Sequence, residues 1–340
     1  MNLRGVIDEF AAEHGCIAGV CPPDELTELR GVLEVSGTPF VSRNYLLRTT
    51  PKMVFPACES IVVLGVSYAG SFAPVCDGRP RGVQSVGCAS ADYHTTLRGK
   101  LEALASRPGL RGGSFKIQVD TGPLAEREIA RRAGLGSFGR SHQLVSPVLG
   151  SYFNIGLLML DARIEPDAPS PLMLERCATC SACIDACPGG AIAPGKPLNW
   201  SRCVSYITQA KGEMDAQSAA ILGAHVYGCD ICQQVCPCNA GLAAPGIADI
   251  ETVMPDLERV AQMDGGEFAK RYGHTSAAWC GIDTLRRNAR IALRACLKTR
   301  FRRIFEGKRR EPAVVRKFDA DDVWRKKHRK YVGMGFSNTP

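Results

Sequence analysis

Apolar positions along the first half of the chain follow two rhythms. In the opening segment MNLRGVIDEFAAEHG, Val6, Phe10 and Ala11 recur at helical spacing among charged residues, which predicts an amphipathic helix. Residues 60–68 (SIVVLGVSY) are β-branched and apolar, the composition of a buried strand, and Ile155–Leu160 is a second run of that kind. Leu97, Leu101 and Leu104 place a helix over 92–106. The segment FKIQVD, 115–120, alternates like a strand and ends at Asp120. Thr121-Gly122-Pro123 then leads into a helix through AEREIARRA, with proline at its first turn and Gly134 just past its end. Alternating strand and helix patterns predict an α/β domain over 1–165. Residues 250–297 have the apolar spacing of a small helical bundle.

This reading puts Asp120 at the carboxyl end of a strand and beside a helix N-terminus, where open α/β sheets tend to place ligands. The ordinary role for an aspartate there is a helix N-cap. The glycine-rich turn GLGSFGR, Gly134 to Arg140, suits close approach to a large cofactor or an ordinary loop after a helix C-cap. It is neither a Walker loop nor a dinucleotide fingerprint, since no G-K-[ST] follows and the strand-then-helix context is missing.

Composition narrows the class. A chain of 340 residues with 45% apolar and 22% charged content reads as a soluble globular protein of two to three domains. No run approaches the ~18 apolar residues of a membrane span. The N-terminus has acids and no long apolar core, so it does not read as a signal peptide, and the cytoplasm is the expected address. From Lys298 to Lys330 there are 14 Lys/Arg against 5 Asp/Glu, a local net of +9 in a chain whose total is +8. Such a segment, with Trp324, Tyr331 and Phe336 interleaved, is either a polyanion-binding footprint or a solvated tail.

Sixteen cysteines in a chain read as cytosolic point to metal rather than disulfides, and nine of them lie between Cys177 and Cys238. Cys177, Cys180, Cys183 and Cys187-Pro188 form the bacterial ferredoxin run C-x2-C-x2-C-x3-C-P, in which three thiolates hold one 4Fe–4S cluster and the fourth reaches a second. Cys229, Cys232 and Cys236-Pro237 repeat its ending, and Cys203 is the nearest cysteine to complete the set. The expected ligand sets are therefore Cys177, Cys180, Cys183 with crossing Cys236, and Cys203, Cys229, Cys232 with crossing Cys187. Cys238 is left outside both. Paired structural zinc sites are the alternative, but they have no use for a crossing C-x3-C-P cysteine. Two such centres beside an α/β domain imply single-electron delivery to a further cofactor that the residues alone do not name.

The order of motifs resembles the epoxyqueuosine reductase family. The likeness is carried by RTTPKMVFPACESIVVLGVSY, ADYH with LRGKLEAL after it, VDTGPLAEREIARRAGLG, the cluster run, RCVSYITQ, YGCDICQQVCP and LRRNARIAL, from about residue 45 to 293. The resemblance implies an N-terminal α/β (α+β) cobalamin-binding domain (1–165), a ferredoxin-like double-cluster domain (166–245), a short helical region (246–300) and a basic tail (301–340). It also implies reduction of epoxyqueuosine to queuosine in tRNA. Electrons would come from an external donor such as flavodoxin or ferredoxin, through both clusters, to cobalamin. Asp120 matches that family's proposed proton donor; a carboxyl buried against a corrin is expected to have a raised pKa. Arg48, Cys88, His94, Asp120 and Arg140 are the implied cofactor contacts. Arg140 stands where the family usually has lysine, and His94 also reads as a core histidine. No D-x-H-x-x-G cobalt-ligand motif is present, as in the family.

Three departures bear on substrate. Ser137 replaces an aromatic residue, Cys238 replaces tryptophan in the usual Cys-Pro-Trp-Asn, and the basic tail stands in for C-terminal helical repeats. The alternatives are a paralogue acting on a different small substrate and a pure electron carrier. The roughly 170-residue α/β portion argues against the carrier, which needs only the middle segment. A reductive dehalogenase would be expected to carry an export leader.

Overall fold

The computed structural model describes residues 2–29, 39–40 and 42–306, with side chains to residue 297. The basic tail falls outside the described residues, apart from the helix backbone that continues to Glu306. Among the described residues the strands are β1 (Cys16–Cys21), β2 (Ser60–Ser67), β3 (Val83–Gln84), β4 (Phe115–Gln118), β5 (Ser137–Phe138), β6 (Leu144–Val145), β7 (Phe153–Leu160) and β8 (His225–Tyr227).

β1, β2, β7 and β4 form one sheet in the order β1-β2-β7-β4. Every pairing in it is antiparallel. The mixed helix-and-sheet class holds, but the rule that places ligands at the carboxyl ends of parallel strands does not apply to Asp120. The two strands read as continuous apolar runs are the central ones. Their side chains alternate between faces. Val62, Leu64, Leu158 and Leu160 join a core beneath helices Leu3–Glu13 and Tyr93–Ala105. Ile61, Val63, Leu157 and Met159 join a second core on the opposite face, beneath helix Glu126–Arg132. Helices therefore cover both faces, so these strands show no polar side.

The helix starts follow from local chemistry. Asn2 accepts the Arg4 amide at 3.1 Å and Asp92 accepts the His94 amide at 3.0 Å, each capping the helix that follows. In the first helix Ile7, Phe10 and Ala11 are buried, and Val6 packs beside them partly exposed. Leu97, Leu101 and Leu104 are buried as their spacing requires. The helix after Asp120 begins only at Glu126, with Ala125 as its cap. Asp120 is therefore not its N-cap, and Pro123 precedes its first turn. Gly134 ends it at φ 78°.

Parallel pairing of β3 with β8 ties the N-terminal half to the cysteine-rich segment. A third core joins Cys88, Val226 and Tyr227 to helices Leu257–Gln262 and Ile282–Glu306. Asn288 in the last helix is fully buried, and its amide donates to the carbonyls of Thr208 at 2.7 Å and Val226 at 2.8 Å. No helix among the described residues is long and apolar enough to cross a membrane.

Candidate active site and cluster domain

Asp120 follows β4 in the left-handed backbone region, at φ 55°. A non-glycine residue stays there only when its surroundings hold it. Glu126 does so: its Oε1 accepts the Asp120 amide at 2.7 Å and Gln118 Nε2 at 2.9 Å. Gln118 in turn brackets Leu124, donating to its carbonyl and accepting its amide, each at 3.1 Å. The turn 119–125 is thus clasped from both ends. Burial is the main cause that pushes the Glu126 pKa up to about 7, with the charge of Asp120 adding to it.

The Asp120 carboxylate, 63% exposed, lies 3.4 Å from His94 Nε2. His94 Nδ1 is 2.7 Å from Asp92 Oδ1, which directs Nε2 towards Asp120. The ring stacks on Tyr93 with centroids 4.1 Å apart. The nearby Asp120 carboxylate is the leading influence that raises the His94 pKa, with Asp92 adding to it and burial opposing, although Nε2 makes no hydrogen bond among the described residues. The same contact lowers the Asp120 pKa, against burial. The His94 imidazole is the first cause, with Tyr93 and the charge of Arg127 adding to it, so in this structure the Asp120 carboxyl sits below its ordinary range. The acid with a near-neutral pKa is its neighbour Glu126.

The electrostatic neighbours of the cysteines fall mostly, though not wholly, within two groups. Cys183 feels Cys177 and Cys180, and Cys236 feels Cys177 together with adjacent Cys238. Cys203 feels Cys187, and Cys229 feels both. Cys232 feels Cys229 and Cys203 and, from the first run, Cys183. Desolvation pushes Cys183 up to about 11 and Cys229 and Cys236 up to about 12. Buried thiols of this kind ionise when a bound cation compensates the charge, so the donor set fits iron–sulfur centres. Among the described residues no three side chains converge on one point as around a single ion; a four-iron cube needs its sulfurs held farther apart. Gly189 brings Cys187 to Cys203, because any Cβ there would overlap the Arg202 carbonyl oxygen.

One cavity of ≈ 260 Å³ is lined by Cys187, Cys203, Cys229 and Cys232 together with Tyr68, Tyr93, Ser141, Gln143 and Asn154. Its lining carries hydroxyls and amides and no histidine. These hydroxyls and amides suit the amide-fringed rim of a corrin, which they would receive by hydrogen bonding. Tyr93 joins the cavity to the Asp120–His94 pair, since Asp120 is also an electrostatic neighbour of the Tyr93 hydroxyl. Gln233 accepts the Ser151 hydroxyl at 2.9 Å and donates to Tyr68 Oη at 3.1 Å, fastening the cavity wall to the second cysteine run.

The other implied contacts lie further out. Arg48 has a buried Nε without a hydrogen-bond partner among the described residues, and its carbonyl accepts the Ala125 amide at 3.0 Å. Arg140 donates to the carbonyls of Cys180 at 3.1 Å and Ala178 at 3.0 Å, bracing the first cysteine run. Cys88 is buried in the third core. Gly136 is pressed against the Val145 carbonyl across the β5–β6 hairpin, so strand pairing rather than cofactor approach accounts for glycine there.

A family model described as epoxyqueuosine reductase matches residues 48–121, and a 4Fe–4S double cluster binding domain matches residues 176–239. An epoxyqueuosine reductase of Staphylococcus aureus is 36% identical over 282 residues, covering 80% of this chain and 73% of the relative. The chain belongs to the epoxyqueuosine reductase family. The Bacillus subtilis epoxyqueuosine reductase is 33% identical over 255 residues, covering 72% of this chain and 65% of that one. The chain spans about two thirds to three quarters of the length of these curated relatives. The solved epoxyqueuosine reductase of Streptococcus thermophilus superposes with TM-score 0.81 at 32% identity, covering 89% of this chain and 84% of that one. A family structure bound to an epoxyqueuosine-modified tRNA stem loop superposes with TM-score 0.79 at 32% identity, covering 86% and 81%.

Sequence reasoning missed Glu126, Gly189, Gln233 and Asn288. Only Glu126 carried a local signal, as an acid six residues after Asp120. The others act on chain segments distant in sequence.

Proposed function

We propose that this chain reduces epoxyqueuosine to queuosine within tRNA, in the cytoplasm, taking electrons from an external donor of the flavodoxin or ferredoxin kind. The observation that carries the reading is the cavity lined by Cys187, Cys203, Cys229 and Cys232 together with Tyr93, whose ring stacks on His94 and whose hydroxyl has Asp120 as an electrostatic neighbour. Cys177, Cys180, Cys183 and Cys236 would hold the outer cluster, and the four wall cysteines the one beside the cavity. Cobalamin would occupy the cavity, received by its amides and hydroxyls. When bound, these groups supply single electrons and a strongly reducing metal, which the side chains lack.

The net reaction breaks both carbon–oxygen bonds of the epoxide, consumes two electrons and two protons, and releases the oxygen as water. The chain's own task is the protons. As the first bond opens, charge grows on oxygen, and a positioned acid stabilises it. Of the two carboxyls in the clasped turn, Asp120 is the stronger electrostatic neighbour of Tyr93, which lines the cavity, and His94 holds the proton that restores it. Asp92 fixes the tautomer of His94, while Glu126 and Gln118 keep Asp120 in its left-handed conformation.

The test is anaerobic turnover of epoxyqueuosine-bearing tRNA after loading with iron, sulfide and cobalamin under a strong reductant. Asp120→Ala should retain iron and corrinoid and lose conversion. Full activity in that variant would remove Asp120 from the mechanism. No conversion by the parent, with corrinoid bound and clusters reducible, would turn the reading towards another substrate.

A further inference from the structure

A group of aromatic side chains beside the cavity takes no part in the chemistry above. Trp279 is 50% exposed and Phe40 44% exposed, far more than packing requires of rings this large. They meet edge to face at 5.3 Å, and Phe40 also lies 4.9 Å from Tyr206. Trp279 Nε1 donates to Gln209 Oε1 at 3.1 Å, and the Lys211 ammonium sits 5.0 Å from the Trp279 ring centroid. The ring is therefore held in place while half of its surface faces solvent.

This ledge is continuous with the cavity. Gln209 both holds Trp279 and lines the cavity, as does Ser276, which shares a turn with Trp279 over Ser276–Cys280. The flanking charge is positive. Helix Ile282–Glu306 carries Arg286, Arg287, Arg290 and Arg294 against Asp283 over its described side chains. The Arg287 guanidinium bonds the Gly212 carbonyl next to Lys211; of the acids nearby, Asp215 is occupied in capping its own helix through Ser218, while exposed Glu213 offsets part of the charge. Exposed aromatic faces in a basic setting take unpaired bases: stacking tolerates any base, while the cations meet the backbone.

We infer that Phe40, Tyr206 and Trp279 form a stacking platform for the unpaired bases that flank the modified nucleoside in its RNA loop. The inference rests on the reading that the substrate is carried by RNA, and it gives this chain a loop contact that does not depend on the basic tail. Base stacking accounts for the exposed rings, and Lys211 for part of the salt dependence. An electron-donor protein is the competing occupant. It is disfavoured because the ledge adjoins the cavity through Gln209 and Ser276, whereas a donor must reach Cys177, Cys180, Cys183 and Cys236, which do not line it.

The experiment uses the loaded full chain and a fluorescein-labelled anticodon stem–loop RNA. Loss of one base–aromatic stack should raise the Kd of Trp279→Ala about tenfold or more, with Trp279→Phe within about threefold of the parent. Lys211→Ala should lower the slope of log Kd against log salt by about one. Melting temperature and iron content would confirm that each variant is folded. Equal RNA affinity in the parent and Trp279→Ala would overturn the platform. If RNA affinity is unchanged while reduction by flavodoxin slows in Trp279→Ala, the ledge belongs to the donor and the inference fails. If the parent does not bind the stem loop, the RNA reading fails first and the platform with it.

Discussion

Glu126→Gln tests how the Asp120 turn is held. The carboxylate accepts the Asp120 amide at 2.7 Å, and its pKa is raised from 4.5 to about 7, mainly by burial. An acid with a raised pKa keeps its proton in the folded chain after the unfolded chain has released it. Between pH 4.5 and about pH 7 the folded state therefore binds more protons, and stability falls as pH rises through this window. The full shift is worth ~3 kcal/mol at ~1.4 kcal/mol per pKa unit. Glu126 is only partly buried, and solvent screening reduces the figure to ~1–2 kcal/mol. Glutamine keeps an oxygen for the Asp120 amide and removes the ionisation. Relative to the parent, the variant should therefore gain ~1–2 kcal/mol between about pH 5.5 and about pH 8, read from anaerobic urea unfolding at each pH. A stability difference that stays flat across that range would refute the raised pKa of Glu126.

Further outcomes follow from the same contacts. In the parent, turnover should fall as pH rises through the raised His94 pKa, above 6.5; His94→Phe should lose that alkaline limb and about 10²-fold in rate, measured from pH profiles. Asn288→Ala leaves the buried carbonyls of Thr208 and Val226 without their donor, a loss of ~2–4 kcal/mol in urea unfolding. Gly189→Ala forces the Arg202 carbonyl away and separates Cys187 from Cys203; iron per chain should fall towards half, and full iron content would contradict that role.

Much of this architecture was legible in local pattern. SIVVLGVSY and Ile155–Leu160 declared buried strands because helices cover both faces of the sheet, leaving no position for polar residues. Leu97, Leu101 and Leu104 declared their helix because one stripe is buried. Pairing direction was not legible: alternating strand and helix patterns suggested an open α/β sheet without fixing strand direction, and β2 and β7 pair antiparallel. The pairing of Asp120 with His94 was not legible either, because the imidazole arrives from a different helix, at a position more than twenty residues away in the chain.

The sequence by itself determined the two cysteine groups, the central strands and the helix caps, since each depends on residues within a turn or two of one another. Tertiary structure alone decided that Cys187 lies beside Cys203 and Cys229, that Glu126 and Gln118 clasp the Asp120 turn, and that His94 faces Asp120. It also decided which cysteines wall the cavity and which stand behind them. The physical reason is range. Periodicity and spacing record what a residue does to its near neighbours, whereas a site is made where segments far apart in the chain are driven together by the burial of surfaces they do not share.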